Sequence, residues 1–375
     1  MTEDNRALRP AQTPAPATAS AYPPLADEPE RIKFVRIDAT HYPGEYAPET
    51  YDPSIAQKVF SEVIEEAIEA EALGWDGFFF TEHHFDAWSL APSPNLLLAA
   101  LAMKTRRMRL GAGVHILPVH DPVRLAEEAG MLDVMSGGRL EVGLGRGNFQ
   151  FELDRFTAPA EESAARFDEH LDVFTKALRA NSFIFDGRWT KVRKPSTVYP
   201  RPMQSSLPIW IGATSPATVE KVGRLGHNLA GGAFPDRGER LERFVEASRK
   251  AGRSVSGANF LVLAPLFLAP TDAEAEKIVS DVSAQMRPFA LKRVEHGEAA
   301  PASLTGASLA DSSIFGSPRT VTDKLAHILA GCGARRFMAI LRFRGTSTDI
   351  VRQTQRLFAN DVAPALRHLK TGGGA

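Results

Sequence analysis

The chain has one cysteine, Cys332, among 375 residues. A single thiol cannot close an intrachain disulfide, which points to a reducing compartment or to indifference to redox state. No apolar run is long enough to span a bilayer. The first residues lack the apolar core of a secretory signal. The net charge of -1 leaves no electrostatic footprint for nucleic acid or for an anionic membrane. These absences together predict a cytoplasmic protein with neither a nucleic-acid nor a membrane partner. P-loop, kinase and nucleophile-elbow signatures are missing too. No glycine-rich dinucleotide turn follows the first predicted strand, which counts against a doubly wound open sheet.

The composition that remains, 43% hydrophobic and 24% charged, is that of an ordinary globular protein with material for a large core. Residues 1–30 are rich in Pro, Ala and Thr and carry no period, so they read as a disordered arm ahead of one unit over 31–370. Within that unit, Asp52-Pro53, Ser93-Pro94, Asp121-Pro122, Ser215-Pro216 and Ser317-Pro318 each precede a helical pattern. Asp or Ser caps free backbone N–H groups, and Pro fits the first helical position because it needs no acceptor there. Phe167, Leu171, Phe174 and Leu178 form one apolar helix stripe, and Val321, Leu325, Ile328 and Cys332 form another.

Short apolar runs alternate with these helices. They begin at Ile32, Gly77, Arg109, Leu140, Pro208, Asn228, Phe260 and Arg336. Strand–helix alternation predicts a parallel sheet, and eight units predict a closed (β/α)8 TIM barrel. Residues 181–207 and 296–316 interrupt the rhythm and are expected to be insertions on the C-terminal face.

In such a barrel, chemistry belongs at the C-terminal ends of the strands. The buried run Phe78-Phe79-Phe80 ends in Glu82-His83-His84, which makes His83 and Glu82 the catalytic candidates. Imidazole suits proton transfer near neutral pH. Metal ligation is the rival, and no metal is expected, because adjacent side chains on a strand point to opposite faces. Gly145-Arg146-Gly147 tops another strand. Its glycines would let backbone approach a flat or phosphorylated ligand, and Arg146 offers a fork for phosphate. Arg139 reads as a structural ion pair. Thr214, Ser215 and Thr218 surround a predicted helix N-terminus, where free N–H groups favour an anion, although capping alone also accounts for Ser215 and Thr218. A phosphorylated flat cofactor in the mouth, beside a histidine, fits these residues together.

The segments GWDGFFFTEHHF, SGGRLEVGLGRGNF, PIWIGATSPATVEKVGRLGHNLAGG and GSPRTVTDKLAHILAGCGARRF resemble the bacterial luciferase-like flavin monooxygenases, in order, from about Ile32 to Leu369. The resemblance implies a barrel that binds reduced FMN (FMNH2), delivered by a separate NAD(P)H flavin reductase. It implies O2 as co-substrate, adding to the flavin as a C4a-peroxide that oxygenates an aldehyde, ketone or alkene. It further implies His83 as the histidine next to the flavin, and Arg146, Thr214, Ser215 and Thr218 as the phosphate cradle. Gly113-Val114 would be a non-prolyl cis peptide under the ring system. A dimer packed through the helices after strands two and three is also implied. Gly145 stands where luciferase has a reactive cysteine, and Thr214 where it has a carboxylate. His115 and Phe149 are expected to face the pocket, with a satisfied strand-end histidine as the plainer reading of His115. A deazaflavin-dependent dehydrogenase and a non-catalytic flavin-binding subunit are the alternatives. A metal-dependent hydrolase on the same barrel is less favoured still.

Overall fold

A computed structural model describes residues 31–43, 48–86, 89–156, 158–232, 237–295 and 306–370. The predicted arm at 1–30 lies outside them. In chain order the elements are β1 (Lys33–Asp38), α1 (Pro53–Ala72), β2 (Gly77–Phe80), α2 (Pro94–Lys104), β3 (Arg109–Ile116) and α3 (Pro122–Ser136). Then follow β4 (Leu140–Gly145), α4 (Gln150–Arg155), α5 (Ala160–Arg179), the hairpin β5 (Phe183–Asp186) and β6 (Lys191–Ser196), β7 (Ile209–Gly212) and α6 (Pro216–Leu225). The chain continues through β8 (Asn228–Gly232), α7 (Arg237–Lys250), β9 (Phe260–Leu268), α8 (Asp272–Glu295), α9 (Gly306–Ser312), β10 (Ile314–Gly316), α10 (Pro318–Cys332), β11 (Arg336–Ile340) and α11 (Thr348–Leu357). No helix among the described residues is long and apolar enough to cross a membrane.

Eight strands close on themselves, all parallel, in the order β1-β2-β3-β4-β7-β8-β9-β11 and back to β1. These are the eight expected strands, and the barrel they form is the (β/α)8 barrel. Alternation along each strand divides its side chains between the interior and the helix layer. In β2, Phe79 enters the interior with Val35, Ile37, Trp210, Leu261 and Met338, whereas Phe78 and Phe80 pack into the helix layer. All three are buried, as a strand covered on both faces requires.

The floor of the barrel is polar and closed. Glu141 of β4 accepts hydrogen bonds from Arg109 Nε (2.9 Å), Arg336 Nη1 (2.9 Å) and Trp210 Nε1 (2.7 Å), all near the N-terminal ends of their strands. Burial would raise the Glu141 pKa, but Arg336 and Arg109 outweigh it and hold the carboxyl down to about 2. With the floor plugged and an apolar layer above it, the C-terminal mouth is the open end.

The five Asp/Ser-Pro pairs all begin helices. Asp52, Asp121, Ser215 and Ser317 each accept a backbone N–H of the first turn, and Ser93 makes no such bond. The expected stripe on α5 is buried. On α10 the buried set is Val321, Leu325, Leu329 and Cys332, with Ile328 only partly covered, because the face follows 3.6 residues per turn one position further on.

One expectation is corrected. The segment 181–207, expected on the C-terminal face, lies at the opposite end. It connects the end of α5 to the start of β7, and in a parallel barrel that link runs under the N-terminal ends. Its Gln204 donates to Asp133 near the end of α3 and to the Leu140 carbonyl at the start of β4, and accepts from Arg109. The second insertion agrees where it is described. β10 extends the sheet at Leu266–Leu268, the C-terminal end of β9. Residues 296–305 are outside the described set.

Candidate active site

The chain leaves β2 at Phe80 and at once presents Glu82, His83 and His84 at the mouth. The two flanking residues turn to one side. His84 Nε2 donates to Glu82 Oε1 at 3.0 Å. β3 and the turn after it supply two further imidazoles. His115 Nδ1 donates to Glu82 Oε2 at 3.2 Å, and His120 Nε2 lies 2.8 and 2.9 Å from the two oxygens. Three imidazoles thus surround one fully buried carboxyl. His115 is therefore the satisfied histidine of the plainer reading, 4% exposed and committed to Glu82.

The electrostatics follow from this crowding. Burial would raise the Glu82 pKa, but the hydrogen bonds from His115, His120 and His84 together hold it well below the usual carboxylate range. Burial lowers the pKa of His115 despite its bond to Glu82. For His120 burial pulls down as well, but Glu82 wins and the net shift is upward.

Glu82, His115 and His120 offer ligand atoms within 4.8 Å of one another, a spacing that could hold a cation. The argument that adjacent histidines diverge did not anticipate this group, because His115 and His120 arrive from another strand. Each nitrogen in it already bonds Glu82, so the cluster stands complete as a hydrogen-bonded network.

His83 turns the other way, to a residue the sequence gave no reason to single out. Its Nδ1 lies 3.1 Å from Oε1 of Glu152 on α4, and the same oxygen accepts the backbone N–H of His84 at 2.8 Å. Glu152 is fully buried, and its Oε2 has no hydrogen-bond partner among the described residues. Phe149, at the N-cap of α4, packs its ring 5.2 Å from that of His83. Phe149, expected to face the pocket, is buried against the His83 ring. A carboxylate in the first turn of a six-residue helix that no apolar period marks leaves no signal in a single sequence.

On the other side of the mouth, β4 and β7 run as neighbours, with Leu144 opposite Ile211. Arg146 follows β4, and Thr214 and Ser215 follow β7, so the cation and the hydroxyls leave adjacent strand tops. Arg146 is exposed and makes no hydrogen bond or ion pair among the described residues. Ser215 Oγ and Thr218 Oγ1 lie 2.8 Å apart at the first turn of α6, and Ser215 accepts the Thr218 N–H at 3.3 Å. Capping therefore occurs, and the helix still presents its N-terminus to the mouth. Arg139, expected in a structural ion pair, makes none among the described residues and instead donates to Ala102, Thr105, Met108 and Ser136.

The Gly113–Val114 peptide is cis. The Val114 side chain lies across the tops of β4 and β7, where a Cβ built on Gly143, Gly145 or Gly212 would meet it at 3.4, 2.4 and 3.7 Å. The glycines near Arg146 thus have a nearer reason than ligand approach. Gly145 makes room for Val114, and Gly147 has φ +90°, a turn conformation that excludes most side chains.

These features fit a phosphorylated flavin. A guanidinium uncommitted among the described residues and a helix N-terminus leave adjacent strand tops on one side, no carboxylate stands in that loop, and an imidazole stands on the other side. The profile of the luciferase-like monooxygenases matches residues 36–336, and the chain belongs to that family. An uncharacterised protein of Sinorhizobium fredii is 36% identical over 229 residues, 60% of this chain and 65% of its own, so the match spans just under two thirds of that relative. The oxygenase component of the flavin-dependent trigonelline monooxygenase of Acinetobacter baylyi is 25% identical over 294 residues, covering 73% of this chain and 81% of that one. The crystal structure of monooxygenase RslO1 from Streptomyces bottropensis superposes with a TM-score of 0.75 at 25% identity, over 89% of this chain and 99% of that one.

Proposed function

We propose that this chain is the oxygenase component of a two-component flavin monooxygenase. It takes reduced FMN from a separate NAD(P)H-dependent flavin reductase and uses O2 to oxygenate a small organic substrate such as an aldehyde, ketone or alkene. Two copies pair through α2 and α3. The observation that carries this reading is the pairing, across one barrel mouth, of uncommitted Arg146 and the α6 N-terminus with His83 at the end of β2.

Each residue has a task in this reading. Arg146 binds the flavin phosphate with a charge-assisted fork, and Ser215, Thr218 and the first-turn amides of α6 complete the cradle. Val114 and the Gly113–Val114 peptide support the flat ring system. Phe149 shields one side of His83 from water. His83 exchanges a proton with the reacting centre through Nε2, which has no partner among the described residues. When bound, the reduced flavin supplies the two electrons and the site of oxygen activation.

The test is an anaerobic titration with photoreduced FMN and, in parallel, reduced riboflavin. Arg146→Ala should weaken FMN by roughly ten- to a hundredfold, the worth of a hydrogen bond to a charged group at about 1.5–3 kcal/mol. Riboflavin binding should change little. Failure of the wild-type protein to bind reduced FMN, or equal losses for both flavins, overturns the assignment. Preferential binding of a reduced deazaflavin would replace it with the dehydrogenase.

A further inference from the structure

His83 and Glu82 are neighbours in sequence, and the obvious pairing for the mouth histidine is that carboxyl. The fold does not make this pairing. Glu82 is shared among His84, His115 and His120. The carboxyl beside His83 is Glu152, 69 positions on. It arrives on a short helix placed directly after the Arg146 turn.

The contact is specific. Glu152 Oε1 accepts from two donors of consecutive residues, the His83 ring and the His84 backbone N–H. One point holds the imidazole and the other holds the backbone that carries it, so the ring plane and its position are set together. Ionised carboxyl oxygens only accept, so the His83 nitrogen facing Oε1 must carry a proton. That is Nδ1. Nε2 then bears the lone pair, and no described residue occupies it. Phe149, on the same turn as Glu152, packs on the ring and closes off one alternative orientation.

The two carboxyls of the mouth also differ in how much of their charge is spoken for. Both oxygens of Glu82 are engaged by three imidazoles. Glu152 has one imidazole and one amide on Oε1, and its Oε2 is buried with no partner among the described residues. A buried polar atom left unpaired in this way calls for an explanation. An acceptor whose charge is kept for the single imidazole it orients provides one.

We infer that Glu152 is a positioning residue acting through His83. It fixes the Nδ1–H tautomer, leaves Nε2 to take or give the proton, and stabilises the imidazolium while the proton resides there. In that exchange Nε2 gains or loses one proton and the Nδ1–H stays donated to Oε1, so Glu152 itself is not protonated. Glu82 and its three histidines form a separate frame that holds the strand end. The inference rests on the flavin reading for the direction of the proton traffic, but the tautomer does not depend on it.

The experiment has two arms. In the first, 15N-histidine NMR is recorded on the cofactor-free, full-length protein, with the His83 signals assigned by their loss in His83→Ala. The wild type should show the Nδ1–H tautomer. Glu152→Ala should lose it. Glu152→Gln, which keeps an oxygen for the His84 amide, covers the case in which the alanine variant does not fold, and its His83 should no longer be held wholly as Nδ1–H. A wild-type Nε2–H tautomer, or a tautomer indifferent to both substitutions, overturns the inference.

The second arm follows reoxidation by O2 of bound, photoreduced FMN. Glu152→Gln should alter the rate about tenfold or more, in the same direction as His83→Ala, while FMN affinity stays within about twofold. The double variant Glu152→Gln/His83→Ala should match His83→Ala alone, since Glu152 has then lost the group it acts through. Additive effects would mean that Glu152 acts elsewhere and would overturn the inference. If reduced FMN does not bind the wild type, the flavin reading fails and the first arm alone decides the dyad.

Discussion

At the scale of single residues, the mouth is governed by close approach. Val114 is β-branched and stiff at χ1, and its methyls fill the space above Gly145. An added Cβ at 145 would stand 2.4 Å from Val114 Cγ2, inside any real contact distance. The reactive cysteine that the resemblance places there in luciferase therefore cannot be grafted into this chain without moving Val114. Gly145→Ala and Gly145→Cys should each destabilise the protein by about 1–3 kcal/mol, the usual penalty for overpacking, and should weaken reduced-FMN binding as well. Gly331 in α10 is the control, because a Cβ there meets nothing within 4 Å. Gly331→Ala should be neutral or stabilising by up to about 1 kcal/mol. Urea denaturation reads both, and a Gly145→Ala variant as stable as wild type would show that Val114 yields freely. The same scale shows what a single sequence hides. The places of His83 and Arg146 at the mouth were legible because each follows a marked strand. Glu152 was not, since it is one glutamate among many and its meaning comes only from the turn that brings it to His83. His115 and His120 were likewise invisible as partners of Glu82, because strand pairing, not spacing, joins them.

At the scale of elements, local chemistry was informative wherever it acts locally. The Asp/Ser-Pro pairs mark helix starts because the cap and the proline both work within one turn, and all five helices begin there. Their contributions should nevertheless differ. Asp121 accepts two amides, from Val123 at 2.9 Å and Arg124 at 3.0 Å, whereas Ser93 accepts none. Asp121→Ala should cost about 1 kcal/mol, and Ser93→Ala should change stability by less than about 0.5 kcal/mol. The comparison is made by urea midpoints at constant m, and equal losses would contradict the cap geometry. Tertiary information was harder to read. β1 alternates apolar and charged residues like a half-exposed strand, and the strand is there. Yet Arg36 is wholly buried, donating to Asp38 at 2.8 Å and to Gln355 at 2.5 Å, with Glu66 as a third partner. Charge in a strand thus leaves the element readable, while its burial depends on partners that only the fold brings to it. The 181–207 segment failed for a related reason. Broken periodicity announces an insertion, but only its place between a helix end and a strand start assigns it to the N-terminal end of the barrel.

At the scale of the molecule, the barrel opens at its C-terminal end and carries exposed apolar side chains on one side. Leu96 and Met103 lie seven apart on α2, and Met131 and Val134 lie three apart on α3, so each pair shares a face of its helix. Their exposures are 75%, 60%, 54% and 43%. Met203 and Tyr199, on the segment that crosses the end of α3, extend the same side at 63% and 70%. Scattered exposed apolar residues mean little, but six gathered on two neighbouring helices and their adjoining loop are what an isologous interface requires. α2 follows the strand that ends in Glu82-His83-His84, and α3 begins directly after His120. A partner on this face would therefore press on the two helices that brace the histidine network. The expected outcome in sedimentation equilibrium is a dimer at micromolar concentration. Leu96→Glu with Met131→Glu should give a monomer with an unchanged far-ultraviolet spectrum. It should also have a lower thermal midpoint, since burial against the partner no longer stabilises α2 and α3. Its affinity for reduced FMN should fall less than its stability does, because Arg146 and the α6 N-terminus follow β4 and β7, away from that face. A wild-type chain that sediments as a monomer would remove the partner copy and leave the apolar face without an occupant.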